Sequence, residues 1–159
     1  MRFQVDIERK TERAIYGLWQ NSCDKTIAQD IPLLTNAFYA VAQKQAGEVL
    51  PFYVVSKDYA PATGQFSLFI GGNEKVAGLA AFSLPTGLYG KITIQPKFSF
   101  LFGFSIARAK RYFYTKWLPA SSYEARNMEY EYHDEKSIKK RPSIDLFFAI
   151  QEKKEAYDD

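Results

Sequence analysis

The segment MEYEYHDE, Met128 to Glu135, alternates acids with rings. Successive side chains of a strand point to opposite faces. Glu129, Glu131 and His133 therefore share one face, and Met128, Tyr130 and Tyr132 share the other. A carboxylate near stacked rings attracts a delocalised cation by charge, and each ring adds about 0.5–2 kcal/mol of cation–π attraction. Other chemistries are poorly served. The chain has one histidine, His133, and one cysteine, Cys23. One imidazole and one thiol cannot complete a zinc site, and a lone thiol cannot form an internal disulfide. Cys23 as a nucleophile would need a base, and His133 is the sole imidazole. We expect no metal and no cofactor.

The surrounding chain has 159 residues, enough for one domain or two tightly packed halves. Hydrophobic residues make up 47% and aromatic residues 16%. The aromatic share is roughly double the usual one, so some rings are expected to line a cavity. Lysine and arginine number 21 against 18 acids, a net charge of +3. The charges are mixed, and nothing demands the concentrated basic face of a nucleic-acid binder. No direct nucleic-acid binding is expected. The start, MRFQVDIERK, lacks the apolar core of a signal peptide. The longest apolar run, FSFLFGFSIA (98–107), is too short to span a bilayer, so no transmembrane segment is expected. A reducing cytoplasm fits the cysteine usage.

The elements that would carry these residues read twice, as strand, helix, strand, strand. In the first copy, Met1 to Ile7 and Ala14 to Gln20 are extended. A helix spans Thr26 to Gln45, with Ile31, Leu34, Phe38 and Val41 at spacings of three and four. Asp30 and Pro32 mark the start of its main body, and Gly47 stops it. Leu50 to Ser56 and Gln65 to Ile70 are strands around a turn at DYAPATG, Asp58 to Gly64. In the second copy, Leu79 to Leu84 and Leu88 to Gln95 are extended. A helix runs from about Ser99 to Trp117, with a stripe of Phe102, Ile106, Ala109, Phe113 and Trp117, and Pro119 ends it. Strands Arg126 to His133 and Ser143 to Ile150 flank the polar loop KSIKKRP. Residues 153–159 form a frayed tail. Tyr16-Gly17 matches Tyr89-Gly90 at an offset of 73, Phe38-Tyr39 matches Tyr112-Phe113 at 74, and Phe66 matches Ile144 at 78. Three matches in order argue for a duplication, with halves of about 1–73 and 74–152 in a single domain.

Several phrases resemble the GyrI-like small-molecule-binding family, the effector-binding domain of bacterial multidrug-sensing transcription activators. They are LPTGLYGKI (84–92), YTKWLPASSYE (114–124), YEYHDE (130–135) and SIDLFFAI (143–150), with AIYGLW and DIPLLTNAFY fitting more loosely. The resemblance implies an α+β fold of two pseudo-symmetric β-α-β-β (SHS2-like) units. These form one antiparallel sheet with both helices on one face and a ligand groove at the seam. It also implies an aromatic pocket for hydrophobic, often cationic, molecules around a glutamate, which here is Glu131. The ligand-binding set so implied is Glu131, Glu129, Trp19, Tyr53, Tyr89, Trp117 and His133. This chain departs from the family where His133 replaces a tyrosine, where Ala149 replaces a proline, and in the apolar FSFLFGF segment. No helix-turn-helix segment precedes the domain, which implies a stand-alone version.

The resemblance implies a sensor or sequestering module for a lipophilic, cationic compound. Two alternatives stay open. One is a hydrolase of strained rings, with Glu131 activating water and Tyr89 or Tyr132 donating to an oxyanion. The other is an inhibitor that binds a protein partner. The plain readings remain beside these: Glu131 as a solvated strand residue, Trp117 as core at a helix end, and His133 as structural. FSFLFGF reads first as the buried start of the second helix, then as a lid or a sticky surface.

Overall fold

The computed structural model describes residues 2–98 and 101–154. Eight strands are found among them: β1 (Asp6–Lys10), β2 (Arg13–Cys23), β3 (Phe52–Ala60), β4 (Gln65–Gly72), β5 (Ala80–Leu84), β6 (Gly87–Ile94), β7 (Tyr123–His133) and β8 (Ile144–Glu152). Helix α1 (Ile27–Ala42) lies between β2 and β3. Helix α2 (Phe102–Tyr112) runs on through a π-helical turn (Phe113–Trp117) into the short α3 (Leu118–Ala120). A 3₁₀ turn, Glu135–Ile138, occupies the polar loop before β8.

The strands form one antiparallel sheet in the order β1-β6-β8-β7-β3-β4-β2-β5. Outward from the central β7–β3 pair, the two sides repeat: β8, β6, β1 on one and β4, β2, β5 on the other. The first strand of each unit has crossed to the far end, beside the other unit. Two residues, Thr11 and Glu12, join β1 to β2, yet six strand spacings separate those strands in the sheet. Flat, that distance would be about 29 Å, and the connection reaches only about 11 Å. Pro85 and Thr86 impose the same limit between β5 and β6. The sheet must therefore curl until its ends approach.

The pairing register defines its two faces. Ile92, Leu146, Glu131, Val54 and Ile70 are successive partners across five strands, so they form one row. Helix α1 covers one end of this face, with Leu34, Phe38 and Ala42 packed near Val54, Leu68 and Ile70. Helix α2 and its π turn cover the other end, with Ala109 and Phe113 on Ile92, Leu146 and Phe148. The Phe113 ring stacks on Phe148 at 4.0 Å. The opposite, enclosed face holds a third core of Ile15, Tyr53, Val55, Phe69, Tyr89, Tyr130 and Phe147.

Several local expectations shift. The first strand is Asp6–Lys10 rather than Met1 to Ile7, and α1 ends at Ala42 with Gln43, not Gly47, in the left-handed cap. Pro32 lies inside α1, which starts at Ile27. Asp30 anchors that start by accepting from Ser22 Oγ and Thr26 Oγ1, each at 2.7 Å. Strand β3 runs on to Ala60 through Asp58 at φ 59°, which shortens the expected turn. Phe98 and Phe104 are 57% and 64% exposed, so neither belongs to a buried helix start. Ser99 and Phe100, where that helix was expected to begin, lie outside the described residues.

Candidate ligand-binding cleft

The two helices cover the ends of the row and leave its middle open. The gap is a cleft of about 890 Å³ over the β3–β7 seam. Its walls are mostly apolar: Ile27, Ala28 and Ile31 from α1, Ile106 and Ala107 from α2, and Phe66 from β4. Tyr59 and Tyr114 add rings at the rim. The π turn sets Tyr114 toward the cleft while Phe113 stays on the core. Such turns often accompany functional sites. At the far rim, β7 bulges between Ala125 and Glu129, with Asn127 at φ 55°. The Asn127 side chain accepts from Tyr59 N at 2.9 Å and donates to Tyr59 O at 3.1 Å. These bonds extend the β3–β7 pairing past its last ladder pair, Lys57 with Met128.

Charge is concentrated on the floor. Glu131 is 9% exposed and stands between Val54 and Leu146. Its Oε1 lies 3.0 Å from His133 Nε2. Burial pushes the Glu131 carboxyl up, but the His133 hydrogen bond and the Lys110 charge outweigh it. The net direction is below the ordinary glutamate value. An ionised carboxylate only accepts, so Nε2 of His133 carries the hydrogen. Lys110 Nζ, from α2, lies 3.6 Å from Glu129 Oε1. Burial lowers the Lys110 pKa, while Glu129 and Glu131 raise it by more. Among the described residues, Glu129 Oε2 is buried with no hydrogen-bond partner. The Tyr114 hydroxyl end meets Glu129, and burial together with that carboxylate pushes the phenol above its usual range. Two carboxylates, Glu129 and Glu131, and one ammonium, Lys110, thus share the floor.

The expected site residues divide between the faces. Glu129 and Glu131 line the cleft, and His133 supports Glu131 while packing edge-on against Phe52. Trp19, Tyr53 and Tyr89 lie on the opposite face of the sheet. Trp19 packs on Phe69 and Phe82, and Tyr53 and Tyr89 sit in the enclosed core. Tyr53 is the direct partner of Tyr132, one step out of phase with Glu131. Trp117 is on the helix side but outside the cleft, stacked between Phe113 and Tyr123. The rings that do line the cleft are Tyr59, Phe66 and Tyr114. Lys110 and Tyr114 went unnoticed as cleft residues in the sequence. Only the approach of α2 to β7 marks them, although the stripe of Ile106, Ala109 and Phe113 fixes which helix faces turn inward. Among the described residues, no group of three or more His, Cys, Asp or Glu side chains could hold a metal. No described helix is long and apolar enough to cross a membrane.

No family model matches the sequence, and no curated protein matches it. Solved structures do match in fold. An integron cassette protein from the mobile metagenome of Vibrio cholerae aligns with a TM-score of 0.68 and 14% identity, over 94% of this chain and 97% of that one. SAV2435 bound to tetraphenylphosphonium aligns at 0.65 with 10% identity, over 95% and 94%. The EcmrR C-terminal domain aligns at 0.62 with 12% identity, over 96% and 100%. A hydrolase from Listeria innocua is more distant, at 0.51 with 7% identity, over 94% and 93%. The fold of this chain is the GyrI-like fold.

Proposed function

We propose that the cleft binds a lipophilic cation, and that the protein works as a small-molecule sensor or sequestering module. One observation carries this reading. An apolar cleft of multi-ring size has two carboxylates, Glu129 and Glu131, on its floor, with the Lys110 ammonium 3.6 Å from Glu129. Apolar walls exclude water, so the charge of these carboxylates is poorly screened there. The fold shared with SAV2435, which holds tetraphenylphosphonium, supports the same ligand class. Glu131 supplies counter-charge from the centre of the floor, Glu129 supplies a second, and Tyr59 and Tyr114 offer ring faces.

The hydrolase alternative draws less support. Tyr89 and Tyr132 stand on the other face from Glu131, and the Tyr89 hydroxyl donates to Pro85 O at 2.6 Å. Glu131 is therefore not beside either of these two phenols. A carboxyl held below its usual pKa is also a weak base.

Isothermal titration with tetraphenylphosphonium tests the proposal. Wild type is expected to bind saturably, in the micromolar range. Glu131→Gln and Glu129→Gln are each expected to weaken binding by about tenfold, or ~1.4 kcal/mol. Wild type that fails to bind, or variants that bind equally well, would refute a cation site on this floor.

A further inference from the structure

We infer that the preferred ligand is a protonated amine that carries an N–H, rather than a fully substituted cation. This rests on the cation-binding reading of the cleft and narrows it. The argument starts from the carboxylate oxygens on the floor. Glu131 Oε1 is engaged by His133 at 3.0 Å, and Glu129 Oε1 faces Lys110 at 3.6 Å. Glu129 Oε2 is buried and has no donor among the described residues. An ionised carboxylate oxygen can only accept, so the group it lacks is a hydrogen-bond donor.

The neighbouring donors do not serve it. Lys110 pairs with Glu129 Oε1, and the Tyr114 hydroxyl, which also meets Glu129, makes no hydrogen bond to Oε2. Asn127 is occupied by the Tyr59 backbone. A phosphonium or quaternary ammonium ion would neutralise the floor but leave Oε2 unpaired. Its entry would also displace the water that can otherwise serve that oxygen. A protonated amine supplies the charge and the donor together. Charge-assisted hydrogen bonds are about twice as strong as neutral ones, and an unpaired buried acceptor is costly. The apolar walls then take the hydrocarbon substituents.

A pair of isomeric ions isolates this difference. Dibenzylethylammonium and dibenzyldimethylammonium have the same composition and charge, and only the first has an N–H. Both are titrated into the protein near neutral pH, where the amine is protonated. The N–H isomer is expected to bind at least tenfold more tightly. In Glu129→Gln, which keeps the shape and removes the charge, the ratio is expected to fall below threefold. Equal affinities in wild type, or tighter binding of the quaternary isomer, overturn the inference and leave the cation cleft standing. A ratio that persists in Glu129→Gln also overturns it, because shape and not Oε2 would then set the preference. If neither ion nor tetraphenylphosphonium binds, the cation cleft itself fails.

Discussion

Glu131 occupies a place in the sheet that an aliphatic residue would fill more cheaply. Its row partners on the helix face are Leu146 and Val54, and the row continues to Ile92 and Ile70. An isolated buried carboxylate would protonate instead of staying charged. His133 and Lys110 prevent this, and the folded carboxyl is held below the ordinary value of 4.5. The linkage follows from that direction. The unfolded chain takes up the Glu131 proton at a higher pH than the folded protein does, so acid favours unfolding. The stabilisation is fully present above about 4.5 and is lost as pH falls through the folded value. Urea denaturation at a series of pH values should show this in wild type. Glu131→Gln should lose less stability over the same acid range. An identical acid profile in the variant would mean that Glu131 is not held ionised by its neighbours.

At the scale of elements, the cleft depends on irregularities in otherwise regular strands and helices. The π turn adds a residue to the helix after α2 and directs Tyr114 to Glu129 while Phe113 stacks on Phe148. The bulge in β7 interrupts its pairing with β8, and Asn127 within it ties β7 to β3 with two bonds to the Tyr59 backbone. Asn127 also sits at positive φ, a conformation that asparagine tolerates better than most residues. Asn127→Ala removes both advantages and should cost about 1–3 kcal/mol. Asn127→Gly restores the backbone freedom alone and should recover part of that loss. Urea denaturation gives the totals, and amide exchange at Tyr59 locates the effect. Unchanged protection of Tyr59 in the alanine variant would show that the bridge does not hold the rim.

The whole molecule is organised by the exchange of outer strands between two equivalent units. Short connections between distant strands force the sheet to curl, and the curl demands close backbone contact. Gly17 in β2 faces Gly71 in β4, and a Cβ on Gly17 would run into the Ile70 carbonyl. Its counterpart in the other unit, Gly90 in β6, lets the Phe113 ring lie against the strand. Gly17→Ala has no flexible side chain to push aside, so we expect a loss of about 3 kcal/mol. Chemical denaturation measures it directly. A loss under ~1 kcal/mol would show that the strands do not approach so closely.

The sequence by itself determined much of this architecture. Period-two and period-four patterns located most of the strands and both helices, because burial of one face imposes that spacing on the chain. The Tyr-Gly pairs at 16–17 and 89–90 revealed the repeat, since both units need a small residue where something presses on the strand. Alternation also placed Glu129, Glu131 and His133 on one face, as the structure has them. Tertiary structure alone decided which rings meet them. Tyr53 and Glu131 look like partners in a list of polar and aromatic residues, but pairing of Val54 with Glu131 turns Tyr53 to the other side. Lys110, Tyr114 and Tyr59 reach the cleft from three separate elements. Their meeting depends on inter-strand register and on how α2 crosses the sheet. Both are set by packing between segments far apart in the chain, and no local pattern records them.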